Sequence, residues 1–141
     1  MPNANQDFET AMDAAIAGED ADKLELALNL VPKLSAGLSG RFEELLIETW
    51  HHSHEEIIRY LQNNPSDSSI EAIRLAILLK PQLKYLHYDD YGAYYKKCFW
   101  ALAVNPNPNA IDVIRDFLDS DNEALRKQAI YRLGKIGPEN A

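Results

Sequence analysis

This chain has little cysteine, little glycine and no long apolar run. Its 141 residues include one cysteine, Cys98, and six glycines. One cysteine cannot form a disulfide within the chain, so a small disulfide-stabilised domain is excluded. No apolar run reaches the roughly 18 residues that a membrane-spanning helix needs. The first seven residues lack the basic and apolar regions of a signal peptide. We therefore expect a cytoplasmic protein that makes no membrane contact.

Motifs typical of common enzymes are also missing. The sequence has no glycine-rich phosphate loop, no Gly-x-Ser-x-Gly elbow and no His-Glu-x-x-His pair. It has no basic stripe interleaved with aromatic residues either. We therefore predict a protein without catalytic residues and without a cofactor.

Basic residues are scarce in the first sixty positions. That part carries twelve Asp and Glu against four Lys and Arg, a net charge of −8, whereas residues 61–141 carry ten of each sign. An acidic field repels phosphates, so nucleic acid is not an expected ligand. The same field attracts a basic protein, although net charge also serves solubility alone.

A five-residue helical phrase occurs three times, at 57–61, 98–102 and 129–133. Each copy ends in Leu and is followed within a few residues by Asn-Pro or Gly-Pro. The copies lie 41 and then 31 residues apart. Spacing of a few tens of residues is typical of a solenoid, in which helix pairs bury their apolar faces against neighbouring pairs.

Apolar periodicity predicts helices throughout and no sheet. An N-terminal hairpin is expected over 1–34, with a first helix that ends at Gly18 and a second capped by Asp20. Repeats are expected over 41–137, with helices near 41–50, 54–63, 70–79, 91–104, 110–118 and 123–135. We therefore predict a single all-α domain over 1–141, an α-solenoid of antiparallel helix pairs with about seven to eight helices.

Within the repeats, the run from Cys98 to Ala103, the proline loop after it and the run from Ala110 to Ile114 resemble a HEAT-like repeat. The segment 122–129 resembles the start of another first helix. The resemblance covers roughly residues 50–137. It implies that helix pairs stack into a scaffold that binds other molecules.

Three segments are together similar to small bacterial HEAT-repeat immunity proteins: 50–55, 86–90 and 96–102. Some of these proteins are encoded beside toxins of polymorphic or contact-dependent inhibition systems. The resemblance implies a cytoplasmic inhibitor that binds a toxin domain, and it identifies no particular toxin. The glycine that usually follows the Ala-Leu step of the repeat is Ala103 in this chain.

Acidic and aromatic side chains form the predicted partner surface. Carboxylates would pair with cations around the active site of a basic toxin domain, and tyrosines would anchor the interface. One helix cannot bury all seven aromatic residues between 85 and 100, so some of them must be exposed. The predicted partner-binding residues are Glu43, Glu44, Glu48, Glu55, Tyr85, Tyr88, Asp89, Tyr91 and Tyr95.

The run from His51 to Glu55 is the one cluster that suggests a metal. It has no cysteine and no second pair of ligands to complete a four-ligand set, so no metal site is predicted. We interpret these histidines as an inter-helix turn that caps helix ends and hydrogen-bonds Asp89 or Asp90. Cys98 is interpreted as a buried packing residue.

Two alternatives to toxin inhibition stay open. The first is a non-catalytic adaptor or assembly module that uses the same surface. The second is an enzyme, such as a HEAT-like chromophore lyase or a metal-dependent hydrolase built on His51, His52, His54 and Asp89.

Overall fold

Helices make up the framework of this protein. The computed structural model describes residues 4–29 and 38–136, and this part of the chain contains eight α-helices, two short 3-10 turns and no β-strand. The prediction of an all-α fold is confirmed. The helices are α1 (Ala4–Ala17), α2 (Ala21–Leu28), α3 (Ser39–Leu46), α4 (His54–Asn63), α5 (Asp67–Leu79), α6 (Ala93–Ala103), α7 (Asn109–Asp116) and α8 (Glu123–Ile136).

The first two helices form the predicted N-terminal hairpin. Asp20 caps α2 as predicted, since its carboxylate accepts a hydrogen bond from the Lys23 N–H at 3.0 Å. The residue with left-handed backbone between the helices is Glu19, with φ 45°, and not Gly18. The hairpin rests on α3, where the Phe8 ring meets the Phe42 ring edge-on at 6.2 Å.

The other six helices are arranged in two layers. Helices α4, α6 and α8 lie side by side in one layer, and α3, α5 and α7 form the other. Contacts between the layers run from α3 to α4, from α5 to α6, and from α7 to both α6 and α8. This stack of helix pairs is compatible with the predicted solenoid-like arrangement.

The repeated phrase marks the core of one layer. Its first residue is Ile57 in α4, Cys98 in α6 and Ala129 in α8, and all three side chains are fully buried. Leu61 and Leu102, at the fifth position of the first two copies, are buried as well. The equivalent positions of the repeat therefore face the same interior.

Two helix predictions are wrong in detail. Helix α3 ends at Leu46 rather than near Trp50, and residues 47–53 form the connection to α4. Helix α5 begins at Asp67, before the predicted Ile70. The apolar pattern of this helix predicts Leu78 inside, but it is 50% exposed, since Ile77 takes the inward position of that turn. The two glycines within 35–40 predict a flexible connector, which is wrong for residues 39 and 40 because they belong to α3. Residues 35–37 of that connector and the closing pair at 137–138 lie outside the described residues.

Consecutive helices alternate in direction, so their connections gather at two opposite ends of the stack. One end, which we call the loop edge, consists of residues 47–53, 80–92 and 117–122, and it includes both 3-10 turns, Lys80–Gln82 and Lys84–Leu86. The other, the asparagine edge, consists of residues 64–66 and 104–108. There the Asn105 side chain donates a hydrogen bond to the Ser66 carbonyl at 2.9 Å.

Candidate functional site

The loop edge begins with a histidine turn between α3 and α4. The His51 Nε2 atom lies 2.7 Å from the Leu45 carbonyl oxygen, and its Nδ1 atom lies 3.0 Å from the Ser53 N–H. A carbonyl can only accept, so Nε2 carries the proton and Nδ1 accepts. The ring therefore adds a hydrogen bond to a carbonyl at the end of α3 that also accepts from the Glu48 N–H at 3.1 Å.

His54 repeats this arrangement one step later. Its Nε2 atom lies 2.7 Å from the Glu48 carbonyl, and its Nδ1 atom lies 2.7 Å from the Tyr85 hydroxyl. The two imidazole rings are stacked with their centroids 4.1 Å apart. Burial lowers the pKa of His51, and burial together with the His51 charge lowers the pKa of His54 to about 4. Both rings are therefore neutral near pH 7.

Tyr85 ties this turn to the next connection of the loop edge. Its hydroxyl accepts from the His54 N–H at 3.3 Å and lies within hydrogen-bond distance of the His54 ring. Burial raises the pKa of Tyr85 well above its ordinary value, so the hydroxyl keeps its proton and can donate to Nδ1. The predicted capping role is confirmed for His51, whose ring binds a carbonyl of the last turn of α3, whereas the His54 ring binds a carbonyl in the turn beyond that helix. Their predicted partners, Asp89 and Asp90, were wrong, because Tyr85 occupies that place.

Asp89 instead caps α6. Its two carboxylate oxygens accept from the backbone N–H groups of Ala93 at 2.8 Å and Tyr94 at 2.9 Å, and Lys80 Nζ lies 3.4 Å away. Burial acts to raise the pKa of Asp89, but these backbone hydrogen bonds and the Lys80 charge lower it below its ordinary value. Asp89 is therefore an ionised cap; position before a helix makes either Asp89 or Asp90 a candidate for this role, and the structure shows that it is Asp89.

The aromatic residues of this region divide into buried and exposed groups. Tyr94, Tyr95 and Phe99 are buried in the core. Tyr88 and Tyr91, by contrast, are 75% and 89% exposed. Tyr91 belongs to the helix predicted near 91–104 but lies outside the observed one, because α6 begins only at Ala93. The loop edge thus presents two whole phenol rings to solvent.

The other predicted binding residues are scattered. Tyr95 lies beneath the loop edge, where its hydroxyl is 3.2 Å from the Asn122 amide nitrogen. Glu43 faces α5 and accepts hydrogen bonds from Ser68 at 2.8 Å and Ser69 at 3.0 Å. Glu55 forms an ion pair with Lys97. Five of the nine predicted residues lie within the loop edge: Glu48, Tyr85, Tyr88, Asp89 and Tyr91.

Acidic residues that the sequence interpretation missed lie in the third connection. Asp119 and Asp121 stand about thirty residues from Tyr91 in the chain, and the stack places their segment at the same end. The Gln128 side chain donates to the Tyr91 carbonyl at 3.2 Å and ties the second connection to α8. The 31-residue spacing of the repeated phrase was the signal that could have placed these connections together.

The charge of the loop edge is negative. Its three segments contain five Asp and Glu against two Lys, a net charge of −3 with neutral histidines. Lys80, one of the two, is already held by Asp89. Beside Tyr91 lies a recess of about 490 Å³ lined by Asp90, Glu123, Lys127 and Gln128. The edge can therefore accept a partner's cationic side chain next to an exposed aromatic ring.

Reactive groups are withdrawn from this surface. Cys98 is fully buried, and burial raises the pKa of its thiol, so the prediction that it is a packing residue is confirmed. Among the described residues, no three His, Cys, Asp or Glu side chains are arranged to hold a metal ion. The His54 ring has both of its nitrogens engaged by protein groups.

Comparison of the chain with protein-family models, with curated proteins and with solved structures gives no match. Every helix in the described ranges is too short or too polar to cross a bilayer. Function is therefore inferred from the geometry of the loop edge.

Proposed function

We propose that this chain is a non-catalytic inhibitor, an immunity protein that neutralises a basic toxin domain by covering its active site with the loop edge. One observation carries the proposal. Tyr88 and Tyr91 are 75% and 89% exposed, and they stand on the loop edge, whose three segments together carry a net negative charge. Tyrosine is enriched at protein interfaces and at the positions that dominate binding energy.

The two tyrosines are carried on a segment that is already fixed. Between them, Asp89 is bound to the first turn of α6, and the carbonyl of Tyr91 is bound by Gln128. Tyr85, three residues before Tyr88, is hydrogen-bonded to His54. A segment that is ordered before binding loses less conformational entropy when a partner arrives. This supports a role in recognition for the exposed rings.

Electrostatics favour a basic partner. Asp90, Asp119 and Asp121 add negative charge to the loop edge, and Glu48 adds more from the first connection. Complementary charge raises the rate of encounter and selects against acidic proteins. A domain that acts on nucleic acid carries cations around its active site, so such a domain fits this surface.

The decisive experiment starts from the partner that co-purifies with the chain from its native cell. We expect the double substitution Tyr88→Ser and Tyr91→Ser to weaken binding by about thirtyfold or more, equivalent to ~2 kcal/mol, because both anchors are lost. Calorimetry with the purified partner measures this loss.

The matched control is Val104→Ser, which removes a 43% exposed apolar side chain of the asparagine edge, at the opposite end of the stack from the loop edge. It should leave the affinity unchanged. Equal losses in the control and in the double variant would refute the loop edge as the binding site. Abolition of the partner's own activity distinguishes an inhibitor from an adaptor that uses the same edge.

A further inference from the structure

A second surface, on the outer side of α6 and α8, has the opposite chemistry. We call it the cation–aromatic face, and it consists of Lys96, Trp100, Tyr131, Arg132 and Lys135. The Arg132 guanidinium carbon lies 4.8 Å from the centre of the Trp100 ring and 5.4 Å from that of Tyr131. The Lys96 and Lys135 ammonium groups lie 5.4 Å and 5.5 Å from the centre of the Tyr131 ring.

Arg132 is unusual among the cations of this protein. Only 9% of it is exposed, and its Nε atom is shielded from solvent and has no hydrogen-bond acceptor in the ranges 4–29 and 38–136. Arg115, Lys97 and Lys127 each have a carboxylate within ion-pair distance, whereas Arg132 has none among the described residues. A guanidinium buried to this extent, with no anion from the described part of the chain, costs stability.

We propose that the cation–aromatic face binds an acidic peptide segment of a partner protein, with one carboxylate seated on Arg132. A guanidinium presents parallel N–H groups that match the two oxygens of a carboxylate. Lys96 and Lys135 flank it and can pair with neighbouring acidic side chains. The aromatic rings hold all three cations in position before the peptide arrives.

A groove next to this face fits a peptide better than a single small anion. It lies between α4 and α6 and has a volume of about 460 Å³. Its lining is mostly polar and consists of Glu55, Glu56, Ile58, Arg59, Gln62, Asn63, Lys97 and Trp100. Trp100 is 46% exposed and belongs to both the groove and the cation–aromatic face. A peptide can therefore place a carboxylate on Arg132, an apolar side chain against the exposed part of Trp100, and a polar side chain in the groove.

The same observations disfavour nucleic acid. Bases stack on open aromatic faces, but cations already lie over the rings of Trp100 and Tyr131. Tight nucleic-acid binding uses about six to ten phosphate contacts, and this face offers three cations that have no ion pair among the described residues. The net charge of the chain is −8. Three cations are enough for a short acidic segment, because Glu55 and Glu56 in the adjoining groove are paired with Lys97 and Arg59, and screening limits repulsion from more distant carboxylates.

The test uses Trp100 as its reporter. Trp50→Phe leaves Trp100 as the single tryptophan of the chain. The probe is a synthetic peptide of alternating Glu-Glu and Leu residues, compared with the same peptide carrying Gln for Glu. We expect the Glu peptide to change Trp100 fluorescence and to bind at least about tenfold more tightly, since a tenfold change corresponds to ~1.4 kcal/mol from the carboxylates.

Two variants and one control locate the site. Arg132→Met, and separately the double substitution Lys96→Gln and Lys135→Gln, should each reduce binding of the Glu peptide at least tenfold. Arg132→Met should keep or raise the melting temperature, because it removes an unpaired buried charge. Lys84→Gln removes an exposed lysine of the loop edge and should change nothing.

The proposal does not depend on the loop edge, and Tyr88→Ser with Tyr91→Ser should keep full peptide binding. Three outcomes would overturn it: equal binding of the Gln peptide, tighter binding of a ten-residue oligothymidine, or unchanged binding by the Lys96 and Lys135 variant. The lysine side chains are exposed, so loss of folding cannot account for a result with that variant.

Discussion

The histidine pair is neutral because its surroundings leave no place for a second proton. In both His51 and His54, Nε2 donates to a backbone carbonyl and Nδ1 accepts a hydrogen bond. A proton on Nδ1 would break the second bond and bring a positive charge within 4.1 Å of the other ring centre. The buried turn therefore requires both rings to stay uncharged.

Stability should consequently fall in mild acid. The pKa of His54 is about 4 in the folded chain against 6.5 in the unfolded one, so above pH 6.5 both states are neutral. Between pH 6.5 and 4 the unfolded chain binds a proton that the folded chain does not. The free energy of unfolding then drops by ~1.4 kcal/mol per pH unit, or about 2 kcal/mol at pH 5.

Urea unfolding at pH 7 and pH 5 measures this drop. The His54→Gln variant provides the comparison, because glutamine does not titrate in this range. It should show a smaller loss between the two pH values than the parent chain. An identical loss in both proteins would mean that His54 is not the group responsible.

Single residues were predicted well where the signal was local. The capping role of Asp20 followed from its position before a helix, whereas position alone left Asp89 and Asp90 as alternatives for α6; the structure shows Asp20 and Asp89 in these roles. The partner of the histidine turn could not be predicted, because Tyr85 stands thirty-one residues from His54 in the chain. Asp89 does not bind the histidine turn because its carboxylate is hydrogen-bonded to the first turn of α6.

At the scale of the helix, Gly92 fixes the start of α6. Its φ is +80°, a left-handed conformation that side chains rarely adopt. A Cβ atom there would lie 3.2 Å from the Gln128 Cγ and 3.2 Å from the Tyr95 ring. The turn therefore brings the loop edge close to α8 only because this residue has no side chain.

Gly92→Ala should destabilise the protein by about 1–3 kcal/mol, because it adds backbone strain and crowds Gln128 and Tyr95. Gly134→Ala is the matched control. Gly134 lies inside α8 with nothing within 4 Å of its would-be Cβ, so alanine should stabilise by up to ~1 kcal/mol. Chemical denaturation compares the two. Similar changes in both variants would contradict a special role for Gly92.

Helix boundaries show where periodicity is enough and where it is not. The apolar stripe predicted α1, α4 and α8 to within about two residues. It extended α3 to Trp50, because Thr49 and Trp50 continue the apolar spacing. In the structure the helix ends at Leu46, and the His51 ring binds the Leu45 carbonyl. Periodicity also placed Leu78 inside, since it lies one residue beyond the inward-facing Ile77.

For the whole molecule, the important property is how the stack distributes charge. The acidic excess belongs to residues 1–60, while the repeats supply both a negative loop edge and the cation–aromatic face. The sequence interpretation named five residues of the first, including Glu48 and Asp89, but it missed Asp119 and Asp121, which are distant in the chain. It could not predict the second, which joins Lys96 and Trp100 of α6 to three residues of α8.

Binding to a basic partner should weaken as salt is added, because screening reduces the long-range attraction. Reversal of Glu44 and Glu48 to Lys should lower the affinity at low salt and flatten its dependence on salt. Association rates measured between 50 and 300 mM salt, about 14 to 6 Å in Debye length, test this.

Reversal of Asp112 and Asp116 to Lys provides the control, since it makes the same change in net charge on α7. A salt-insensitive affinity that the Glu44 and Glu48 reversals leave unchanged would rule out electrostatic steering.

The asparagine edge has a consequence for the chemical ageing of the protein. Asn64, Asn105 and Asn107 are each followed by a proline. Deamidation begins when the next backbone nitrogen attacks the side-chain amide to form a succinimide, and proline has no N–H for this reaction. The Asn105 and Asn107 amides that bind Ser66 and Asp67 are thus protected from the slow hydrolysis that affects exposed asparagines. The asparagines of the asparagine edge that precede proline should deamidate more slowly during prolonged storage than the other asparagines of the chain.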